Sequence, residues 1–177
     1  MLATLTPPSP DEYAPYYSDY IQRVAAAEIH DLLSRQIEVL HSLLDPLSDA
    51  QACFRFGPDE WSVKEMMGHV VDVERVFSYR LLRISRKDAT PLPGFEQNDY
   101  VRESNFDARS MQDILNEFVF LRRADLIAVS NLTDAMVDLR GTASGFTISV
   151  RGLIYMLAGH VEHHIASLHQ NYLPHLR

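Results

Sequence analysis

The stretch "WSVKEMMGHVVDVERVFSYR", residues 61–80, decides the fold. Ser62 is followed three positions later by Glu65, a capping box: the serine hydroxyl accepts a backbone N–H, and the glutamate reaches back to the N–H of the cap. Trp61 before the cap and Met66 after it can close as a hydrophobic staple. Val63, Met66, Met67, Val70, Val73, Phe77, Leu81 and Ile84 then recur at steps of three and four, so an amphipathic helix runs to about Arg86. His69 lies inside it, beside Gly68, whose missing side chain would admit another helix.

Working outward, the same period appears three more times. From about Ala25 to Asp45, Ile29, Leu32, Leu33, Ile37, Leu40, Leu43 and Leu44 follow helical steps that continue to Leu47 and are broken only by Gln36. Pro46 closes that helix. A third helix is expected over about Met111 to Leu132, capped by Asp107 or Ser110, with Ile114, Leu115, Phe118, Leu121, Leu126 and Ile127 apolar. A fourth runs from about Ser149 to Asn171 and is stopped by Pro174. The links between them are "SDAQACFRFGPDE", residues 87–107 and "RGTASGFTIS". The second is long enough to expect that it lies across a site. No alternating strand stands out. The expectation is an all-α four-helix bundle forming one domain over residues 1–177. The proline-rich first ten residues form a loose arm, followed by a short aromatic helix near Tyr13 to Tyr20.

Charge and cysteine content narrow the function classes. The chain has 177 residues and a formal net charge of −8, which argues against nucleic acid, since DNA binding usually needs a basic face. Its single cysteine, Cys53, calls for no oxidising compartment and reads as a half-buried packing residue. No signal-peptide pattern and no membrane-spanning run is present, so a cytoplasmic protein acting on a small molecule is expected.

The histidines carry the chemistry. "AGHVEHHIASLHQNY", residues 158–172, holds His160, His163, His164 and His169. At 100° per residue, His160 and His164 lie about 40° apart on a face shared with Leu153 and Met156, so both point inward and can reach one ion. His163 looks toward a flank, about 60° from His160, while His169 and Glu162 point outward. Two imidazoles are too few for a catalytic metal site, which commonly has three protein ligands. His69 is the best third candidate, with His30 and His41 on the first helix as alternatives. Glu65 and Asp72 lie near His69 on its helix and are candidates to orient its ring, although the capping box already uses Glu65. Arg80 and Arg83 are candidates to hold an anion.

Trp61-Ser62-Val63-Lys64-Glu65, Gly68-His69, Glu74-Arg75, Tyr79-Arg80, Pro91-Leu92-Pro93-Gly94-Phe95, and Gly159-His160 with His163-His164 together resemble the DinB/YfiT-like superfamily over nearly the whole chain. The resemblance implies a four-helix bundle and a three-histidine metal site, here His69, His160 and His164. It also implies a homodimer. Characterised relatives include thiol S-transferases and isomerases that use low-molecular-weight thiols. The implied function is therefore a metal-dependent thiol S-transferase in detoxification or stress response. The alternatives are a metal-dependent hydrolase or a non-catalytic metal-binding stress protein. Three imidazoles suit zinc, nickel, iron or manganese, and a low-molecular-weight thiol would be the second cofactor.

Overall fold

In the computed structural model, which describes residues 5–176, the aromatic segment near the N-terminus coils into two 3₁₀ turns, Pro10–Glu12 and Pro15–Tyr17, and then α1 (Ser18–Val24). Four long helices follow, separated by short elements: α2 (Ile29–Leu44), α3 (Asp49–Ala52), α4 (Val63–Ser85), α5 (Gln97–Glu103), α6 (Met111–Ser130), α7 (Asp134–Val137), a hairpin of β1 (Arg140–Ala143) and β2 (Phe146–Ser149), and α8 (Val150–Ser167). A π turn, Leu168–Tyr172, extends the last helix toward Pro174. The four expected helices are all present. The first four residues of the proline-rich arm lie outside the described residues. From Leu5 onward the arm is fastened rather than loose: Tyr155 donates to the Leu5 carbonyl at 2.7 Å, and Arg151 holds Thr6.

Caps set the helix starts. Ser62 caps α4 as expected, with Glu65 N–H donating to its hydroxyl at 3.0 Å and Ser62 N–H donating to Glu65 at 2.9 Å. Ser110 caps α6. Asp107, the other candidate, instead accepts from the Ser62 hydroxyl and from Arg55, tying the long connection back to the start of α4. That connection is not irregular throughout, since it contains α5 and a 3₁₀ turn, Phe106–Ala108.

The strands were unexpected. "RGTASGFTIS" is an antiparallel hairpin turning on Ser144 and Gly145, both at positive φ (53° and 83°). This is the backbone a two-residue primed turn requires. Leu92 joins the edge, donating to the Thr142 carbonyl at 2.9 Å and accepting from Ser144 N–H at 3.0 Å.

The long helices form a square in which α2 and α4 each touch both α6 and α8, leaving α6 and α8 on the diagonal. α1 lies along α8 where Gly159 leaves room: a side chain there would begin 2.2 Å from the Tyr20 carbonyl oxygen. Gly68 admits Phe106 from the 3₁₀ turn rather than a helix.

Each long helix buries an apolar stripe interrupted near its middle by polar residues. One apolar cluster contains Leu33, Phe77, Val129 and Leu157. The other contains Leu40, Val70, Phe118 and Val161. Between them lies a polar layer: Gln36 on α2, His69 and Glu74 on α4, Arg122 on α6, and His160 on α8. Arg122 is fully buried. Its guanidinium forks onto the Glu74 carboxylate at 2.5 and 2.8 Å, donates to the Gln36 side-chain carbonyl at 2.6 Å, and reaches across the diagonal to the Leu157 carbonyl at 3.2 Å. Gln36 spends its amide on the Ala158 carbonyl and on Glu162, both at 2.9 Å. Glu162 therefore faces this bond rather than open solvent. On α6 the inward stripe runs through Arg122 and Asp125, and Ile127, expected on the apolar face, is 67% exposed.

Removing one member of a buried ion pair strands the other charge. Arg122→Met is expected to lower unfolding free energy by about 3–5 kcal/mol. The double variant Arg122→Met/Glu74→Leu should recover most of that loss in urea denaturation.

Candidate metal centre

Three imidazoles meet in the polar layer. α8 supplies His160 and His164 one turn apart, and α4 supplies His69 from the facing helix. The His160 Nε2 lies 3.0 Å from the His69 Nε2 and 3.1 Å from the His164 Nε2. One ring nitrogen from each residue falls within 4.8 Å of the other two, and all three residues are buried.

The chemistry of this set fits a cation. An imidazole nitrogen carries either one proton or one lone pair, so His160 Nε2 can make one linear hydrogen bond and not two. A shared ion satisfies all three lone pairs. Ligand nitrogens about 2.0–2.1 Å from an ion stand about 3.3 Å apart in a tetrahedral shell and about 2.9 Å apart at right angles, and the two short separations here fall in that range. The rings are also held neutral, as ligation requires. Burial pushes the His69 pKa down to about 4, with His163 adding to the effect. Burial lowers His160 and His164 well below the ordinary value, with neighbouring histidines contributing to both and the Arg122 cation to His160.

Aromatic rings surround the cluster. Trp61 packs 4.8 Å from the His69 ring, Tyr20 sits 5.5 Å from His160, and Phe77 sits 6.2 Å from it. Sequence reasoning did not assign Trp61 or Tyr20 to the site. Trp61 was legible as a staple, whereas Tyr20 comes from α1, a helix too short to signal where it docks.

The other candidates separate from the cluster. His163 is half-buried against Tyr20, at 5.2 Å, and His169 is exposed, both as their angles predict. His30 bonds the Ser130 hydroxyl and His41 bonds Asp45, so neither alternative on α2 joins the site. Glu65 is engaged by the cap and by Arg55. Asp72 is half-buried, its pKa raised by burial and by Glu117, and among the described residues it makes no hydrogen bond to a histidine. Arg83 pairs with Asp88. Arg80 is buried, with its Nη2 on the Pro93 carbonyl and the Ser144 hydroxyl. Cys53 is exposed rather than half-buried, because the short helix α3 turns it outward.

The family profile described as the DinB superfamily matches residues 32–168. Among solved structures, YfiT from Bacillus subtilis is similar, with a TM-score of 0.76 at 16% identity over 90% of this chain and 91% of that one. That protein is described as a probable metal-dependent hydrolase with an unusual four-helix bundle topology. No curated protein sequence matches the chain.

The histidine burial sets a pH window. The unfolded chain protonates His69 near pH 6.5, but the folded chain resists until about pH 4. Between those values the unfolded state binds more protons, so stability falls as pH falls. Metal-free protein is expected to lose on the order of 3 kcal/mol from His69 alone between pH 7 and pH 4. Urea unfolding across that range, compared with His69→Phe, reads the difference.

Proposed function

The chain belongs to the DinB superfamily, and from that premise we propose that it is a metal-dependent enzyme whose ion is held by His69, His160 and His164. The observation that carries this reading is the convergence of three buried, neutral imidazoles with ring nitrogens 3.0 and 3.1 Å apart. A divalent ion such as zinc, nickel, iron or manganese would supply Lewis acidity there and ease proton loss from a water or thiol.

The residues around the ion set the conditions for that chemistry. His69 and the pair on α8 approach from two helices, and a small nucleophile would complete the ion's shell. Trp61, Tyr20 and Phe77 keep bulk water from the rings. Arg122 lies close enough to disfavour protonated His160, which keeps that lone pair available.

Two reactions share this machinery. In the hydrolase reading the nucleophile is water, and the likeness to YfiT supports it. In the S-transferase reading it is a low-molecular-weight thiol attacking an electrophile. A thiol needs less help to ionise than water does. Both readings place a small-molecule substrate at the site and the protein in the cytoplasm. The homodimer is proposed to pack through the α4–α6 face, where Leu82, Phe120 and Ile127 are exposed. Sedimentation of a Phe120→Asp/Ile127→Asp variant as a monomer, beside a dimeric parent, would support that packing.

Activity assays discriminate the reactions. Hydrolysis of activated esters and amides, and thiol consumption with reactive electrophiles, should be measured with and without chelator. The expected result is turnover in one of the two that falls at least about 100-fold on chelation and in His160→Ala, in line with the loss of a metal's contribution. Turnover that survives both treatments contradicts the proposal.

A further inference from the structure

A second feature lies about two to three turns along α4 from His69. There the connection after α4 covers the helix and leaves a cavity of about 270 Å³. Its walls are aromatic and apolar: Leu92 and Tyr79, with the rings of Phe95 and Tyr100 5.1 Å apart. Tyr79 and Tyr100 are each about half exposed, so the cavity opens to solvent between them.

Arg80 also lines this cavity and is only 2% exposed. Among the described residues two arginines are buried, Arg80 and Arg122. Arg122 has the Glu74 carboxylate against it, but Arg80 forms no ion pair among the described residues. Its Nη2 donates to the Pro93 carbonyl and the Ser144 hydroxyl, both at 2.9 Å, and the Tyr17 phenol lies beside it. These are neutral partners. A guanidinium has five N–H donors, and burying its charge without a counter-anion is costly. In a chain with a net charge of −8, a buried cation without a carboxylate stands out. Arg75 at the rim is already engaged by Glu117.

We propose that this cavity is a second ligand site, which takes a small organic anion with a flat apolar body. Its carboxylate pairs with Arg80, and its ring lies against Tyr79, Tyr100 and Phe95. The volume suits a ligand of about ten non-hydrogen atoms and excludes a dinucleotide. The cation gives the charge preference, and the aromatic walls give the preference for a planar body. The alternative role of Arg80 is purely structural, a staple between the Pro93 segment and the hairpin turn at Ser144. A staple alone predicts no ligand.

Benzoate is the probe, with benzamide as its neutral isostere, titrated into full-length metal-loaded protein and followed by calorimetry and by NMR shifts of Tyr79 and Tyr100. The expected result is saturable benzoate binding, at least about tenfold tighter than benzamide. Arg80→Gln should weaken it at least tenfold, and His160→Ala should leave it unchanged. If Arg80→Gln fails to fold, Tyr100→Ala, a change at a half-exposed position, should weaken benzoate about three- to tenfold. Benzoate that binds no better than benzamide overturns the proposal. So does binding lost in His160→Ala but kept in Arg80→Gln, which would place the anion at the histidines.

Discussion

A buried guanidinium is the constraint on which the rest of the bundle depends. Arg122 projects from α6 into the middle of the square, where no water reaches it and every donor must find a partner. The partners come from all three other long helices: Glu74 on α4, Gln36 on α2 and the Leu157 carbonyl on α8. Satisfying them together fixes the rotation and height of each helix relative to the others. An apolar core tolerates sliding and repacking, whereas a bidentate ion pair with three further bonds, to Gln36 and to the Leu33 and Leu157 carbonyls, does not.

The histidine centre inherits that alignment. Glu74 lies on the same helix as His69, and Leu157 and Ala158 lie on the same helix as His160. Once Arg122 and Gln36 have set α4 and α8 in register, the three ring nitrogens meet. Their burial then excludes the protonated forms, and the nearby Arg122 cation reinforces this at His160. The two apolar clusters above and below the polar layer keep it dry. The packing that stabilises the bundle thus also sets three neutral imidazoles side by side, as the proposed ion would need.

Much of this was legible in the residues. The caps and the period of three and four placed the long helices, and the angle between His160 and His164 picked the inward pair from a cluster of four. Two kinds of feature escaped. The first is polar residues on the buried face. Gln36 read as a break in a stripe, Arg122 and Asp125 were not singled out on α6, and the apolar stripe inferred there included Ile127, which is exposed. A period of hydrophobicity cannot show a polar side chain whose partners lie on other helices. The second is short elements stabilised by tertiary contact: α1 docking at Gly159, α5 inside the long link, and the hairpin. The hairpin did carry a local signal, Ser144-Gly145 between residues that suit strands, but four-residue strands give too little alternation to register.

The proposed ion would be held by His69, His160 and His164 together. X-ray absorption on protein purified without a histidine tag tests this most directly, with metal content measured on the same sample. One transition metal per chain, three imidazole nitrogens at about 2.0–2.1 Å, and loss of the metal in His160→Ala are expected. Absence of stoichiometric metal after loading, or a metal shell unchanged in His160→Ala, would contradict it.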